Sequence, residues 1–510
     1  MGGGVSNPLL TAPGLLAVWP MDDGSGVVAR NSAVAASTID NNLWHAPEVG
    51  FNHQTSKGGS ATATDAYATG NDGRSRAVRI VFPGSGSVTL NNFACASGVA
   101  HTLSFKYKRT GGTDQRFKGY ADALSSVLTA TSTWQTHTQT WTPATTTPTI
   151  GIYSDGATAA DILICDFKIE QGSSATPYIA PQSHIVFQGA KKPTWSSAGI
   201  VTSSADRGGL AARNVDSTLS AFTVYHAFKQ SGSVNGNYNT IQHLDQTVNK
   251  WHMGPGKTAN DYNDFRVADG ISQLARGTKS SDGNWHVICC QYDGTIVSMF
   301  LDGVLTRTHT QTGTVAASYL RFFSLFTGGF GATGTHGYAA WYDAAHTAQQ
   351  IVDCTEFIRS EMVGRGETFP AYSNVVVFEG DSIFEGNAYT PLSPVPERAM
   401  ADMPANTFVA NTAKSGSSIN SSSTPGSYTT SLYARRLTID NALLYPATKH
   451  ILCVGAGTND MNSNTAATFL ANLKAYCQER RAAGWKVVVG TCLPCTYSAG
   501  GFNAKRATAN

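Results

Sequence analysis

Asn374-Val375-Val376-Val377-Phe378-Glu379-Gly380-Asp381-Ser382 is the stretch from which the fold of this chain is read. Its apolar residues run continuously instead of alternating with polar ones. A strand wetted on one face alternates; a strand buried on both faces does not, and such strands belong to parallel sheets covered by helices. Two further runs have the same character, Lys449-His450-Ile451-Leu452-Cys453-Val454-Gly455 and Trp485-Lys486-Val487-Val488-Val489-Gly490. Between them residues 466–483 carry Phe469, Leu470, Leu473 and Tyr476 at i, i+1, i+4, i+7 spacing, with Gly484 as a stop. Strand–helix–strand alternation predicts an α/β unit, three layers around a parallel sheet, from about residue 372 onward. In such a unit a residue just after the first strand stands at the C-terminal edge of the sheet, where ligands bind. Ser382 has that position.

Upstream the chain reads as strand and turn. Gly 51 and 14% charged residues in 510 residues suit a β-rich protein with many turns, and the length predicts two to four domains. Residues 220–228 read as a strand with Phe222, Val224 and Phe228 on one face. Residues 284–292 and 295–301 read as consecutive strands punctuated by Asp293-Gly294 and Asp302-Gly303. One helix, 346–363, closes this part and leads into the linker 364–367. The net charge of +2, with no Lys/Arg block, excludes a nucleic-acid footprint. No apolar run is long enough to span a membrane as a helix.

The block around Asp282-Gly283-Asn284-Trp285-His286, Phe300-Leu301-Asp302-Gly303 and Tyr338-Ala339-Ala340-Trp341-Tyr342 resembles the concanavalin A-like (laminin-G-type) sandwich. Gly14-Leu15-Leu16-Ala17-Val18-Trp19 resembles the first strand of the same family. Its expected continuation appears only at Pro193-Thr194-Trp195-Ser196-Ser197-Ala198-Gly199-Ile200. A discontinuous sandwich is therefore expected, residues 14–39 plus 182–365, with a second β domain inserted over 40–181 at a surface loop. That insert resembles a carbohydrate-binding-module-like jelly roll on residues 101–108, 134–141 and 166–172. The stretch 175–179 resembles the end of such modules in phage tail proteins. Trp134 and Trp141, at odd spacing, are expected on opposite faces, so at most one serves as a sugar platform.

The chemistry-bearing residues lie in the α/β unit. Acyl transfer needs an activated hydroxyl, a base, and donors aimed at the tetrahedral oxyanion. Ser382 offers the hydroxyl. Gly457-Thr458-Asn459-Asp460 follows a later strand, so the Asn459 amide reaches the same edge; Gly416 in Asn411-Thr412-Ala413-Lys414-Ser415-Gly416-Ser417 offers a backbone N–H. Each stretch alone also reads as an ordinary helix cap or turn. The ordered set resembles the SGNH (GDSL-type) hydrolase family, whose fold is flavodoxin-like. The resemblance covers residues 372–510 and implies Ser382 as nucleophile, and Ser382 N–H, Gly416 N–H and the Asn459 side chain as the oxyanion hole, with no cofactor.

The family also ends in an Asp-x-x-His block that supplies the base, and here it has no counterpart. All 13 histidines lie at or before His450. His450 precedes a strand and so belongs to the opposite edge from Ser382. Loss of the base costs orders of magnitude in rate. The expectation is a fragment of a longer gene rather than a natural pseudoenzyme.

The resemblances imply a modular carbohydrate-active esterase that deacylates, and specifically deacetylates, a polysaccharide bound by the β modules. An alternative is a glycan-binding adhesion protein with an inert hydrolase domain, and another is a set of structural spacers. An acylated glycan is the expected partner, with oligomeric state open. No signal peptide is evident in Met1-Gly2-Gly3-Gly4-Val5-Ser6, so an extracellular or virion-associated setting implies another export route. The nine cysteines are expected reduced and mostly buried, with Cys492-Leu493-Pro494-Cys495 too isolated to hold a metal. No ligand cluster points to calcium.

Overall fold

A computed structural model of the chain describes residues 8–13, 15–19, 28–29, 55–68, 77–90, 95–156, 158–175, 282–310, 333–385, 395–419 and 431–490. It also describes isolated residues and short strands, chiefly between 185 and 322. Residues 176–179, Cys492 and Cys495, and the tail 501–510 lie outside the described residues. The fold is all-β modules followed by an α/β unit.

In the α/β unit the strand Asn374–Gly380 lies between Thr407–Asn411 and Lys449–Gly455, with Lys486–Val489 beyond the latter, all parallel. In chain order this is 2-1-3-4, the flavodoxin-like arrangement, whose switch point falls at the first strand. The continuous apolar run is explained by cover on both faces. Val375 and Val377 pack with Leu432, Ile439, Phe469, Tyr476 and Trp485. Val376 and Phe378 pack with Phe384, Met400 and Met403 on the other side. The helix Ala466–Ala482 starts at Thr465, whose hydroxyl accepts from Thr468 N–H, and ends before Gly484 at φ +117°.

Two eight-stranded antiparallel sheets form the sandwich. Phe222, Val224 and Phe228 share a core with Ile288, Cys290, Met299 and Trp341. Tyr225, Ala227, Trp285 and Cys289 face the other way, under the helix Ala348–Gly364. That helix opens with a full capping box between Thr347 and Gln350. Trp285 fills this second core and donates its indole N–H to Glu367. The Asp302-Gly303 turn joins Ile296–Leu301 to Val304–Thr310 with both residues at positive φ, 52° and 84°.

The described strands between 55 and 171 form two five-stranded sheets around one core of Val78, Ile80, Phe105, Phe117, Ile152 and Phe167. On either side of them in the chain, Val28–Ala29 and Ile185–Val186 pair with each other, Ala29 opposite Ile185. Trp141 sits in the core and Trp134 on the opposite face, where the Lys108 ammonium stands 4.7 Å from its ring centroid. Seven of the cysteines are described, all free, and five of them are buried.

The sandwich meets the α/β unit along the edge strand Thr407–Asn411. Thr278 donates its N–H to the Val409 carbonyl at 2.8 Å, and its hydroxyl accepts from Val409 N–H at 2.7 Å. An open sheet edge is capped in this way.

Candidate active site

Three loops converge at the C-terminal edge of the parallel sheet. Ser382 begins a single helical turn, Ser382–Glu385, directly after the middle strand. Gly416 follows the strand on one side and Asn459 the strand on the other. The backbone stitches the three together: Asp381 N–H donates to the Gly455 carbonyl at 3.1 Å, and Lys414 N–H to the Gly380 carbonyl at 3.0 Å. The Asn459 amide donates to the Ser417 carbonyl at 2.9 Å. Ser382, Gly416 and Asn459 are each half-buried, so the edge is reachable from solvent.

Glycine is required at two of these points. A Cβ on Gly380 would stand 2.1 Å from the Gly455 carbonyl oxygen, so only glycine lets the two strands approach there. Gly416 has φ +77°, a left-handed conformation that favours glycine.

Asp381 accepts from Ile383 N–H at 3.0 Å, so it caps the turn that Ser382 begins. Of the two side chains that sequence offered as a cap for this turn, Asp381 is the one that accepts from it. Burial pushes the Asp381 carboxyl up, partly offset by bonds from Ile383 and Thr458. Asp460, whose carboxylate accepts from Ile419 N–H at 3.0 Å, is pushed up to about 6 by burial, with the Asp381 charge adding to the rise.

Several residues at the site escaped sequence reading. Glu379 is fully buried, accepts from Tyr476 and lies 3.5 Å from the Arg435 guanidinium. Its carboxyl is pushed up to about 7 by burial, against the pull of Arg435 and Tyr476. Arg435 also donates to the Ser417 hydroxyl at 2.8 Å, which ties the middle strand to the loop that Asn459 grips. Glu385, three residues after Ser382, accepts from Ser415 N–H and from Arg307 of the sandwich. An acidic residue closing a buried apolar run is a signal for a buried partner, and Glu379 carried it. Nothing local marks Arg307.

His450 is the histidine of the α/β unit and stands at the opposite edge from Ser382, near the start of its strand. It contacts the Tyr445 carbonyl at 3.0 Å. Among the described residues no group of His, Cys, Asp and Glu is placed to hold a metal, and no helix is long and apolar enough to cross a membrane.

A second candidate surface lies on the jelly roll. On the outward face of the sheet built from Gln115–Ala121 and Ile150–Ser154, Tyr120 and Tyr153 stack at 4.7 Å and 29°. Both are half-exposed, and Gly151, paired opposite Tyr120, leaves the face low between them. The signal was a tyrosine at an outward strand position, Gly-Tyr-Ala within an alternating stretch.

No family model matches the chain, and no curated protein matches it. Among solved structures it is similar over 33% of its length to domain 4 of AbnA, a GH43 extracellular arabinanase from Geobacillus stearothermophilus, in complex with arabinotriose. That match has 16% identity, covers 83% of the arabinanase domain and has a TM-score of 0.29. Over 27% of its length it is similar to a member of the lipolytic protein G-D-S-L family from Veillonella parvula DSM 2008, with 15% identity, 68% of that chain covered and a TM-score of 0.21. Over 27% it is similar to the CBM22-1–GH10 modules of Clostridium thermocellum xylanase 10B complexed with xylohexaose, with 19% identity, 30% of that chain covered and a TM-score of 0.22. Each likeness is local.

Proposed function

We propose that the chain carries the nucleophile and oxyanion hole of a GDSL-type serine esterase that deacylates, and specifically deacetylates, a polysaccharide bound by its β modules. The observation that carries this reading is the convergence of Ser382, Gly416 and Asn459 at one sheet edge, at the switch point of a 2-1-3-4 parallel sheet. The Ser382 oxygen attacks the acyl carbonyl carbon. The carbonyl oxygen takes up negative charge and is met by the N–H groups of Ser382 and Gly416 and by the Asn459 amide. Collapse releases the sugar hydroxyl and leaves an acyl-serine for water to hydrolyse. The hydroxyl proton passes to a base that the described residues do not include.

The domain division follows the same reading: 14–39 plus 182–365 as one sandwich, 40–181 as an inserted jelly roll, and 372–510 as the hydrolase unit. The pairing of Ala29 with Ile185 supports it, since an insertion needs its two ends close together. The Tyr120–Tyr153 pair is the face we assign to the glycan, because flat aromatic rings cover the apolar faces of sugars. The setting is extracellular or virion-associated, such as a phage tail acting on bacterial surface polysaccharide; residues 166–179 suggest it.

A second reading, a glycan-binding adhesion protein with an inert hydrolase unit, is favoured by the position of His450 at the far edge of the sheet. Hydrolysis of p-nitrophenyl acetate by the chain and by Ser382→Ala separates the two. Turnover lost in the variant supports the esterase. Equal rates together with polysaccharide binding by both proteins support the adhesion protein.

A further inference from the structure

The strand Val304–Thr310 lies at the edge of one sandwich sheet. Its Arg307 leaves the sandwich altogether. One guanidinium nitrogen donates to the Ala413 carbonyl at 2.9 Å. The other donates to Glu385, and the second oxygen of that carboxylate accepts from Ser415 N–H. Glu385 is one turn beyond Ser382, and Ser415 is the residue before Gly416. A single side chain from another module therefore grips both loops from which the nucleophile and an oxyanion donor project.

We infer that Arg307 is a positioning residue: the sandwich is a working part of the hydrolase site, and its Arg307–Glu385 pair sets the Ser415–Gly416 loop against Ser382. The charges are mostly shielded, with the side chains 13% and 10% exposed, so removing one partner leaves the other charge buried and uncompensated. Burial alone would raise the Glu385 carboxyl, but Arg307 and Ser415 outweigh it and hold it below the usual range. Glu385 is thus a fixed anion, and a fixed anion can orient the Ser415 N–H while leaving the Gly416 N–H turned to the oxyanion. Planar, two-pronged donation is what an arginine provides and a lysine does not. Thr278 meets the same edge strand at a separate point, Val409.

The kinetic arm of the test rests on the esterase reading above; the structural arm does not. Backbone hydrogen exchange across residues 411–419 is measured by mass spectrometry on the full chain, on Arg307→Met and on Glu385→Gln. Hydrolysis of p-nitrophenyl acetate is followed in parallel, with Arg307→Lys as the conservative variant. Exchange over this segment is expected to quicken in both Arg307→Met and Glu385→Gln and to stay unchanged in Ser382→Ala. The kcat is expected to fall roughly tenfold or more with KM little changed, because a misaimed oxyanion donor weakens transition-state binding alone. Arg307→Lys, keeping the charge but losing the fork, is expected to fall between Arg307→Met and the parent. Unchanged exchange in both Arg307→Met and Glu385→Gln overturns the inference whatever the rates. Quickened exchange with no turnover in the parent protein overturns the esterase reading and leaves the coupling of the modules standing. Quickened exchange with kcat equal to the parent's overturns the catalytic role of the positioning.

Discussion

Asn459 donates its side-chain amide to the carbonyl of Ser417, 2.9 Å away. An asparagine amide has two hydrogens. With one committed to Ser417, the orientation of the other is settled by the Gly416–Ser417 loop, and the loop is in turn held to the middle strand through Arg435 and Glu379. Two of the three oxyanion donors proposed here, Gly416 and Asn459, are thus a connected unit and not independent groups.

That connection gives a prediction for Asn459. Replacing it with Ala removes a donor and frees the loop, so hydrolysis of p-nitrophenyl acetate should fall by about 10²–10³, as for other oxyanion donors. Asn459→Asp keeps the shape but presents oxygens to both the Ser417 carbonyl and the oxyanion. Its rate should be no higher than that of the Ala variant, and a rate near the parent's would remove Asn459 from the oxyanion hole.

Gly380 makes a second test. Its hydrogen faces the Gly455 carbonyl, where a Cβ would stand at 2.1 Å. Gly380→Ala must push the two strands apart just before Ser382. Activity should drop at least tenfold, and the melting temperature should fall by several degrees for a loss of about 1–3 kcal/mol. Thermal unfolding followed beside the rate assay checks both, and an unchanged melting temperature would refute the close approach.

Asp460 predicts a pH effect in the α/β unit. Its folded carboxyl titrates at about 6, above the usual range for Asp, chiefly because it is buried. A raised folded value means that the protonated form is the one the fold favours. Stability from this group is full below the unfolded value near 4 and declines as pH rises through about 6. Asp460→Asn keeps an acceptor for Ile419 N–H and should raise the melting temperature at pH 8 more than at pH 4.5. Glu379, pushed up to about 7, acts in the same direction.

The sandwich holds two opposed histidine sites. Burial alone would lower His286, but Asp302 at 2.7 Å and Asp282 at 3.0 Å outweigh it and raise it to about 9. Its contribution is full below the ordinary histidine value near 6.5 and is lost as pH rises through about 9, up to about 3 kcal/mol. His226 and His336, hydrogen-bonded to each other at 2.8 Å, are both lowered by burial, His226 to about 3. Their contribution is full above about 6.5 and is lost as pH falls. Sandwich stability should therefore peak near neutrality, and His286→Gln should flatten the alkaline limb while leaving the acid limb in place. Urea denaturation followed by tryptophan fluorescence from pH 4 to 9.5 reads both limbs.

Glycan binding has its own test. Tyr120→Ala and Tyr153→Ala should each weaken binding about tenfold to whichever of a polysaccharide panel the chain retains, as expected for one lost stacking face of roughly 1.4 kcal/mol. Trp134→Ala should not, since its ring is already covered by Lys108. Affinity electrophoresis in polysaccharide gels gives the ranking, and an effect at Trp134 alone would move the binding face to the other sheet.

The α/β unit was legible because its code is local. A run such as Val375-Val376-Val377-Phe378 can be satisfied only by burial on both faces, and three such runs around one amphipathic helix admit few topologies. The order of Ser382, Gly416 and Asn459 along the chain then placed them at one edge, since parallel strands present their C-terminal ends together. The facing of Trp134 and Trp141 followed in the same way from strand periodicity. What the chain could not declare is what distant segments do to each other. Arg307 sits 78 residues before Glu385, in a strand whose pattern is that of any sandwich edge. Tyr120 and Tyr153 become a pair only through the register of two strands. The buried charges Glu379, Arg435 and Asp460 acquire their shifted affinities from a surrounding that only packing creates. Periodicity is a property of neighbours in sequence, and it determined the elements. Desolvation and hydrogen-bond geometry are properties of neighbours in space, and the tertiary structure alone decided them.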